Sequence, residues 1–574
     1  MESHSVETAA PQRRAGPGLG ALLDFAVLSH RRAAALLVVV CLVAFLPGFF
    51  QIPPVDRDES RFAQASKQMV ESGDYIDIRF QDEVRYKKPV GIYWLQSVAA
   101  KAGDALGVPN AHRTIWLYRV PSLLAAIGSV LLTYWAALTF VARRTALLAA
   151  LMMATSLLLG VEARLATTDA TLLLMCVAAM GALARIYLGA RHEPPRPAGW
   201  RMPALLWTAI AGGVLIKGPL ILMFVGLTIL ALGIADRSLR WARDLRPVPG
   251  FLWMLLLVAP WFVAIVAKSG ESFFIKSVGD DMLAKVTSGQ EAHGAPPGYY
   301  FLLFWITFWP GAVLAGLAAP TIWKARAEPG ARFLLAWVIP SWIVFEAVMT
   351  KLPHYVLPLY PAIAILIAGI VEKNGLWRNK WIEHGTIGWF LLPSAIAVAV
   401  PIIFVTMSKD LGLIAWPFAG AAAIFGLFAW RLFAVDGAER ALLRGMVASV
   451  FISMTVYAIT FPMLPSLFPS QLVAREVRAK ACPEPHLAST FNYQEPSLVF
   501  LLGTDTKFSD GPGVAEFLHG GPCRFALVDS RSERAFVQRA NSLNVRFTLL
   551  NRVDGFNISN GKRFSMAIFH SEVP

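Results

Sequence analysis

An α-helical bundle threaded through a membrane is the fold class this sequence predicts, and three observations predict it. Of the 574 residues, 56% are hydrophobic and only 16% are charged, a balance that suits a polytopic membrane protein and not a soluble one. The apolar runs are continuous and about 15 to 22 residues long, whereas a β-barrel alternates apolar and polar positions over shorter segments. The net charge of +14 lies with those runs, because residues 470–574 hold 12 Lys and Arg against 10 Asp and Glu, leaving +12 in the apolar part. Short basic loops between spans account for that excess, which leaves nucleic acid without support as a partner.

Taken in order, the first twenty residues are rich in Ala, Gly, Pro and Arg and read as a disordered tail. Residues 1–32 form a cytoplasmic segment ending in Arg31 and Arg32. No small-residue cleavage pattern follows the first apolar run, 33–51, so it reads as a retained anchor. Further runs lie at 120–140, 145–160, 170–188, 203–216, 219–235, 250–267, 299–322, 333–349, 355–371, 386–406, 411–433 and 446–468. That predicts about thirteen transmembrane helices within 33–469.

Orientation follows from the short loops. Arg143 and Arg144, then Arg185, Arg191, Arg196 and Arg201, then Arg237, Arg240, Arg243 and Arg246 alternate with less basic turns, and loops retaining such residues face the cytoplasm. The same parity puts Lys324, Arg326, Lys373, Arg378 and Lys380 on that side and the C-terminal segment outside. The first outer loop, 52–113, carries nine basic and nine acidic residues, and at about sixty residues it is long enough for the charge rule to weaken. Its "SRFAQASKQMVESGDY" places Phe62, Ala65, Met69 and Val70 at helical spacing, which predicts helices lying along the membrane surface.

From about 470 the character changes. "SLVFLL", "RFALVD", "VRFTLL" and "FSMAIFH" are strand-like runs divided by Gly, Pro, Asn and Asp, so 470–574 is expected to form a small soluble α/β domain in the periplasm. Cys41 and Cys176 lie inside apolar runs, and Cys482 and Cys523 lie in this segment. Four scattered cysteines are too few for a metal cluster, and a Cys482–Cys523 disulfide fits if the segment is exported.

Parity gathers the unusual polar residues on one face. Five charges, Asp56, Arg57, Asp58, Glu59 and Arg61, follow directly on the first span. Lys88 shares their loop, Arg164 and Asp169 of "EARLATTDAT" lie between the third and fourth spans, and Lys217 of "LIKGPL" lies at the next outer turn. His293 falls in the outer loop 268–298, and Lys351, His354 and Tyr355 of "TKLPHYVLP" at the turn after that. Singly, a lysine at a helix end snorkels, an aspartate there caps the next helix, and a loop histidine is a surface residue. Jointly, carboxylates, lysines, a tyrosine and histidines on one face suit an anionic substrate at the membrane surface. Cationic donors hold a phosphate and a carboxylate activates an acceptor hydroxyl or steadies an oxocarbenium charge.

Other classes fit less well. A transporter places ionisable residues near the bilayer midplane, metal-assisted hydrolysis favours His-Glu-x-x-His, and nucleotide hydrolysis favours GxxxxGK[ST]; neither motif is present.

At these residues the sequence resembles the polyprenyl-phosphate-dependent glycosyltransferases of the GT-C superfamily, in particular the bacterial lipid A aminoarabinose transferases and their protein mannosyltransferase relatives. The likeness rests on "DESRFAQASKQMVESGDYIDIRFQDEVRYKKPVGIYWLQ", "RVPSLLAA", "EARLATTDAT", "IKGPL" and "TKLPHYVLPLYPAIAIL", together spanning 58–366. It implies an inverting glycosyltransferase of the bacterial inner membrane, its site facing the periplasm. The sugar would come from a polyprenyl phosphate and pass to lipid A or another lipopolysaccharide or envelope acceptor. Asp58 with Glu59 matches the family's acidic pair and Asp169 its second carboxylate. Lys88 matches the lysine that contacts the lipid phosphate, and Lys217 and Tyr355 match positions near it. His293 is a match in a variable loop. Arg61, Tyr86, Lys351 and His354 complete the substrate-binding candidates. The resemblance requires no cofactor and leaves open a divalent metal, with Asp58 and Asp169 as its candidate ligands.

One departure matters: this chain has Lys87 where relatives carry Glu, and Val90 in place of a second proline. The doubled positive charge suits a more anionic partner, such as a uronic acid sugar, for instance galacturonic acid, or a phosphorylated core, with aminoarabinose or a hexose as the other choices of sugar. A protein O-mannosyltransferase-like enzyme and a lipid-linked sugar transporter are the alternatives.

Overall fold

Among the described residues, eight of the thirteen apolar runs fold as helical stretches long and apolar enough to span a bilayer, within Ile115–Ala137, Asp169–Gly189, Arg240–Ser269, Pro329–Ala347, Pro353–Glu372, Trp381–Ser408, Leu413–Arg431 and Ala438–Thr460. The structure, a computed structural model, describes residues 18–572 apart from 193, 195–198, 271–272, 274, 277–293, 378, 409–411, 481 and 558–560. The other five runs are helical but shorter or broken. The first is His30–Phe45, and 145–160 divides into Arg143–Ala154 and Leu157–Glu162. Arg201–Lys217 and Leu220–Asp236 are parted by Gly218 and Pro219. The run 299–322 divides into Tyr299–Thr307 and Ala312–Lys324 around Pro310, whose ring cannot continue a helix.

The charged stretch after the first helix is organised by one ion pair. Asp58–Ser72 begins with Asp58 and Glu59 in its first turn, where the helix dipole favours carboxylates, and ends at Gly73 with φ 72°, a left-handed cap that suits glycine. Glu59 is 2% exposed and Arg119, one turn into Ile115–Ala137, is 1% exposed. Their contact is bidentate, Nε to Oε1 at 2.7 Å and Nη2 to Oε2 at 2.8 Å. Arg119 also donates to the carbonyls of Phe49, Ile52 and Pro53, and Glu59 accepts from the backbone N–H of Val55 and Ala166. Four segments thereby meet at one buried fork.

The predicted helix of the first outer loop is present, but its setting differs from a surface helix. Phe62, Ala65 and Met69 pack with Ile78, Tyr86, Tyr93 and Trp261, while Ala63 belongs to a second cluster with Tyr118, Leu498 and Phe500. Gln64 donates to Thr504 at 2.8 Å and Lys67 to the Phe500 carbonyl at 3.2 Å. The helix is buried on several sides because the C-terminal segment closes over it.

That segment is a mixed five-stranded sheet. With β1 (Arg79–Phe80) and β2 (Glu83–Val84) forming a small hairpin in the outer loop, β3 (His486–Thr490), β4 (Lys507–Ser509), β5 (Arg524–Asp529), β6 (Phe547–Asn557) and β7 (Lys562–Ser571) lie in the order β4-β3-β5-β7-β6. β3 pairs in parallel with β4 and β5, and β7 runs antiparallel to β5 and β6. Alternation along β5 divides two cores: Ala526 and Val528 face Val514, Leu518 and Phe536, while Phe525 and Leu527 face Val473, Leu498 and the outer-loop helices. "SLVFLL" is not a strand but the helix Pro496–Leu502, every residue buried. A short apolar run has no decisive period, and Pro496 at the first helical position decides for a helix. Cys482 and Cys523 form a disulfide.

Replacing Arg119 by Met is expected to cost about 3–5 kcal/mol, because Glu59 is left buried and unpaired. Thermal unfolding of purified protein should show the loss, and Glu59→Gln with Arg119→Met together should be milder than Arg119→Met alone. Reducing the Cys482–Cys523 bond, which closes a loop of 41 residues, should lower stability of the sheet by about 4 kcal/mol, read by chemical denaturation with and without reductant.

Candidate active site

Three helix ends and a turn converge at one place. Asp169 opens Asp169–Gly189, Lys217 closes Arg201–Lys217, Glu162 closes Leu157–Glu162, and His354 lies in the turn Pro353–Leu359. Gly218 follows Lys217 at φ 72°, so the chain reverses as soon as the lysine has been delivered. Lys217 is ion-paired with Asp169 and stands 5.4 Å above the Tyr355 ring. His354 bridges two carboxylates, Nδ1 at 3.4 Å from Glu162 and Nε2 at 3.6 Å from Asp169. Thr167 donates to Glu162 at 3.0 Å.

Lys88 approaches from the outer loop. It is half-buried, donates to the Lys87 carbonyl at 3.0 Å, and lies close enough to act on the Asp169 charge. Gly91 permits the approach: a Cβ there would come within 2.7 Å of the Leu215 carbonyl, so only glycine lets Gly91–Ala105 close on the end of Arg201–Lys217.

Glu162, Asp169 and His354 bring ligand atoms within 4.8 Å of one another. Their arrangement does not fit a metal ion well. The two carboxylates face opposite ring nitrogens, so one imidazole nitrogen does not converge with both, and the Lys217 ammonium already neutralises Asp169. Asp58 belongs to no group of metal-ligating side chains among the described residues.

The other sequence candidates are placed as follows. Asp58 is exposed, its carboxylate 3.8 Å from Arg61. Glu59 is enclosed in the fork with Arg119, away from solvent. Tyr86 is buried, its hydroxyl donating to Asp77 at 2.7 Å. Lys351 caps the end of Pro329–Ala347 through the carbonyls of Phe345, Glu346 and Val348. Arg164 of the quoted block holds Pro47 and Ser453 and stacks at 4.2 Å on Tyr457. His293 lies outside the described residues.

Two residues escaped the sequence reading. Glu162 is an acid just past the run 145–160, seven residues before Asp169, and that position was its only signal. Asp56 was visible as a charge but not as a contact: its carboxylate accepts from the backbone and hydroxyl of Ser497, at 2.8 and 2.6 Å. A cavity of about 20 Å³ beside it is lined also by Tyr493 and Glu495. Burial and the nearby Glu495 charge push the Asp56 carboxyl up to about 7.

Over residues 30–270 the sequence matches the dolichyl-phosphate-mannose-protein mannosyltransferase family. The matched segment, 241 of the 574 residues, is similar to this glycosyltransferase family. Similar curated proteins are undecaprenyl phosphate-alpha-4-amino-4-deoxy-L-arabinose arabinosyl transferases. That of Edwardsiella ictaluri is 29% identical over 355 residues, 59% of each chain. That of Pectobacterium atrosepticum is 27% identical over 394 residues, 64% of this chain and 66% of the relative. The matched part thus spans about three-fifths to two-thirds of these relatives. Among solved structures, ArnT from Cupriavidus metallidurans in the apo state superposes with a TM-score of 0.73 at 17% identity, over 94% of this chain and 97% of that one. The same protein bound to undecaprenyl phosphate gives 0.70 at 20% identity, over 93% and 97%. At these identities the likeness is one of fold, over nearly the whole chain.

A carboxyl raised in the folded state binds its proton more tightly there than in the unfolded chain, so folding weakens as that proton is lost. Stability is therefore expected to fall as pH rises from the ordinary aspartate value of 3.8 to about 7. Asp56→Asn should flatten this slope, measured by thermal unfolding across that range.

Proposed function

We propose that this protein transfers a glycosyl group from a polyprenyl-phosphate donor to lipid A or another lipopolysaccharide or envelope acceptor on the periplasmic face of the bacterial inner membrane. The observation that carries this reading is the convergence of Lys217, Asp169, His354 and Lys88 at helix ends in a chain similar over residues 30–270 to this glycosyltransferase family. Two ammonium groups suit a phosphate and nearby carboxylates suit an acceptor hydroxyl.

In the proposed reaction the acceptor oxygen attacks the anomeric carbon from the face opposite the phosphate. The bond from that carbon to the phosphate oxygen breaks, its electron pair leaves with the polyprenyl phosphate, and Lys88 and Lys217 balance the charge. The hydroxyl proton passes to a carboxylate, for which exposed Asp58 is the candidate, while Asp169 shapes the pocket and positions Lys217. Glu59, enclosed by Arg119, positions the Asp58 turn instead of meeting substrate.

The thirteen-span topology belongs to the same reading, with residues 1–32 inside, 33–469 as the membrane part and 470–574 outside. Its support is the Cys482–Cys523 disulfide, which suits an oxidising compartment. The doubled charge at Lys87 and Lys88 favours an anionic sugar such as galacturonic acid. The family also contains protein mannosyltransferases, so protein is the second acceptor class.

Mass spectrometry of lipid A and lipopolysaccharide from cells with and without the protein is expected to show one sugar-sized mass lost with the gene. Lys88→Ala and Asp58→Asn should each reduce transfer by about 10²–10³-fold in folded protein. Full transfer by both variants would refute the assigned roles, and unchanged lipids with an altered glycoprotein would move the acceptor to protein.

A further inference from the structure

Asp169 has two cationic partners where one would neutralise it. Lys217 donates to Oδ1, and His354 Nε2 lies 3.6 Å from the same oxygen. The opposite ring nitrogen faces Glu162 Oε1 at 3.4 Å. An imidazole presents a donor at both nitrogens only when both are protonated, so a carboxylate at each end selects the imidazolium. Glu162 is 3% exposed and fixed by the Thr167 hydroxyl at 3.0 Å. Two carboxylates and two cations then balance, as a buried set requires.

We propose that Glu162 is a positioning residue that keeps His354 as a standby counter-ion for Asp169, so that Lys217 is released to an incoming lipid phosphate. This rests on the reading of the chain as a user of polyprenyl-phosphate donors. When the phosphate arrives beside Lys88, the Lys217 ammonium exchanges its hydrogen bond from Asp169 to a phosphate oxygen. No covalent bond changes in this step. Without the imidazolium the exchange would leave Asp169 as an uncompensated buried anion, and the lysine would stay where it is. Glu162, Asp169 and Lys217 are the charged groups facing the ring, and Tyr355 stands edge-on to it at 5.2 Å.

The test is polyprenyl phosphate binding to the full chain in lipid nanodiscs, with steady-state transfer beside it. Glu162→Gln should weaken binding about tenfold at neutral pH, the scale of losing one partner of a buried charge network. The variant should regain affinity as pH is lowered, because a lower pH favours the imidazolium, and its kcat at saturating donor should change much less than its KM. Thr167→Val, which removes only the hydrogen bond to Glu162, should shift binding the same way by a smaller factor, and Glu162→Asp should restore most of the affinity. Wild-type binding by Glu162→Gln would overturn the proposal. So would an equal loss in kcat and KM at every pH, the signature of a merely structural role. If the wild-type chain itself fails to bind polyprenyl phosphate, the donor assignment falls and this inference with it; if it binds and Glu162→Gln is silent, this inference alone falls.

Discussion

The Glu59–Arg119 fork is the interaction on which the arrangement of the candidate site depends. A carboxylate and a guanidinium taken this far from water are unfavourable singly, and they persist because every hydrogen-bonding direction is used. Arg119 gathers three carbonyls from the end of the first span, and Glu59 gathers backbone N–H groups from Val55 and Ala166. Ala166 lies between Glu162 and Asp169 in the chain. The fork therefore fixes both the turn that presents Asp58 and the turn that presents the site's two buried acids.

The second constraint is charge balance at the helix ends. Asp169 and Glu162 face Lys217 and His354 in a setting from which water is largely excluded, and such a set is tolerable only when the charges cancel. Exchange of partners is then cheaper than removal of one. In the proposed reaction, cations paired in this way are released only when the donor phosphate arrives. Lys88 reaches the group only because a glycine two positions beyond the following proline lets two helices touch.

The C-terminal sheet takes part in this architecture through the outer loop. Its inner face packs on the Asp58–Ser72 helix, and Ser497 holds Asp56, two residues before Asp58. The sheet is thus coupled to the start of the carboxylate-bearing helix. This coupling explains why the helix is buried on several sides, where hydrophobic spacing alone describes one wet and one dry face.

Long continuous apolar runs have few outcomes, so the sequence by itself determined the helical membrane bundle and, among the described residues, eight helices long and apolar enough to span it. It also determined the helix after the first span and the nearness of Asp169, Lys217 and His354 to helix ends, because polar residues bounding apolar runs cannot lie in lipid. Only the tertiary structure decided which charges face one another. Glu59 and Glu162 are alike in sequence, each an acid beside a span. Arg119, distant in the chain, closes around the first, while His354, more distant still, opens the second towards Asp169. Tertiary packing likewise decided that "SLVFLL" is a helix and that Lys351 caps one. Pairings across tens or hundreds of residues depend on how helices pack, and local pattern carries no record of that.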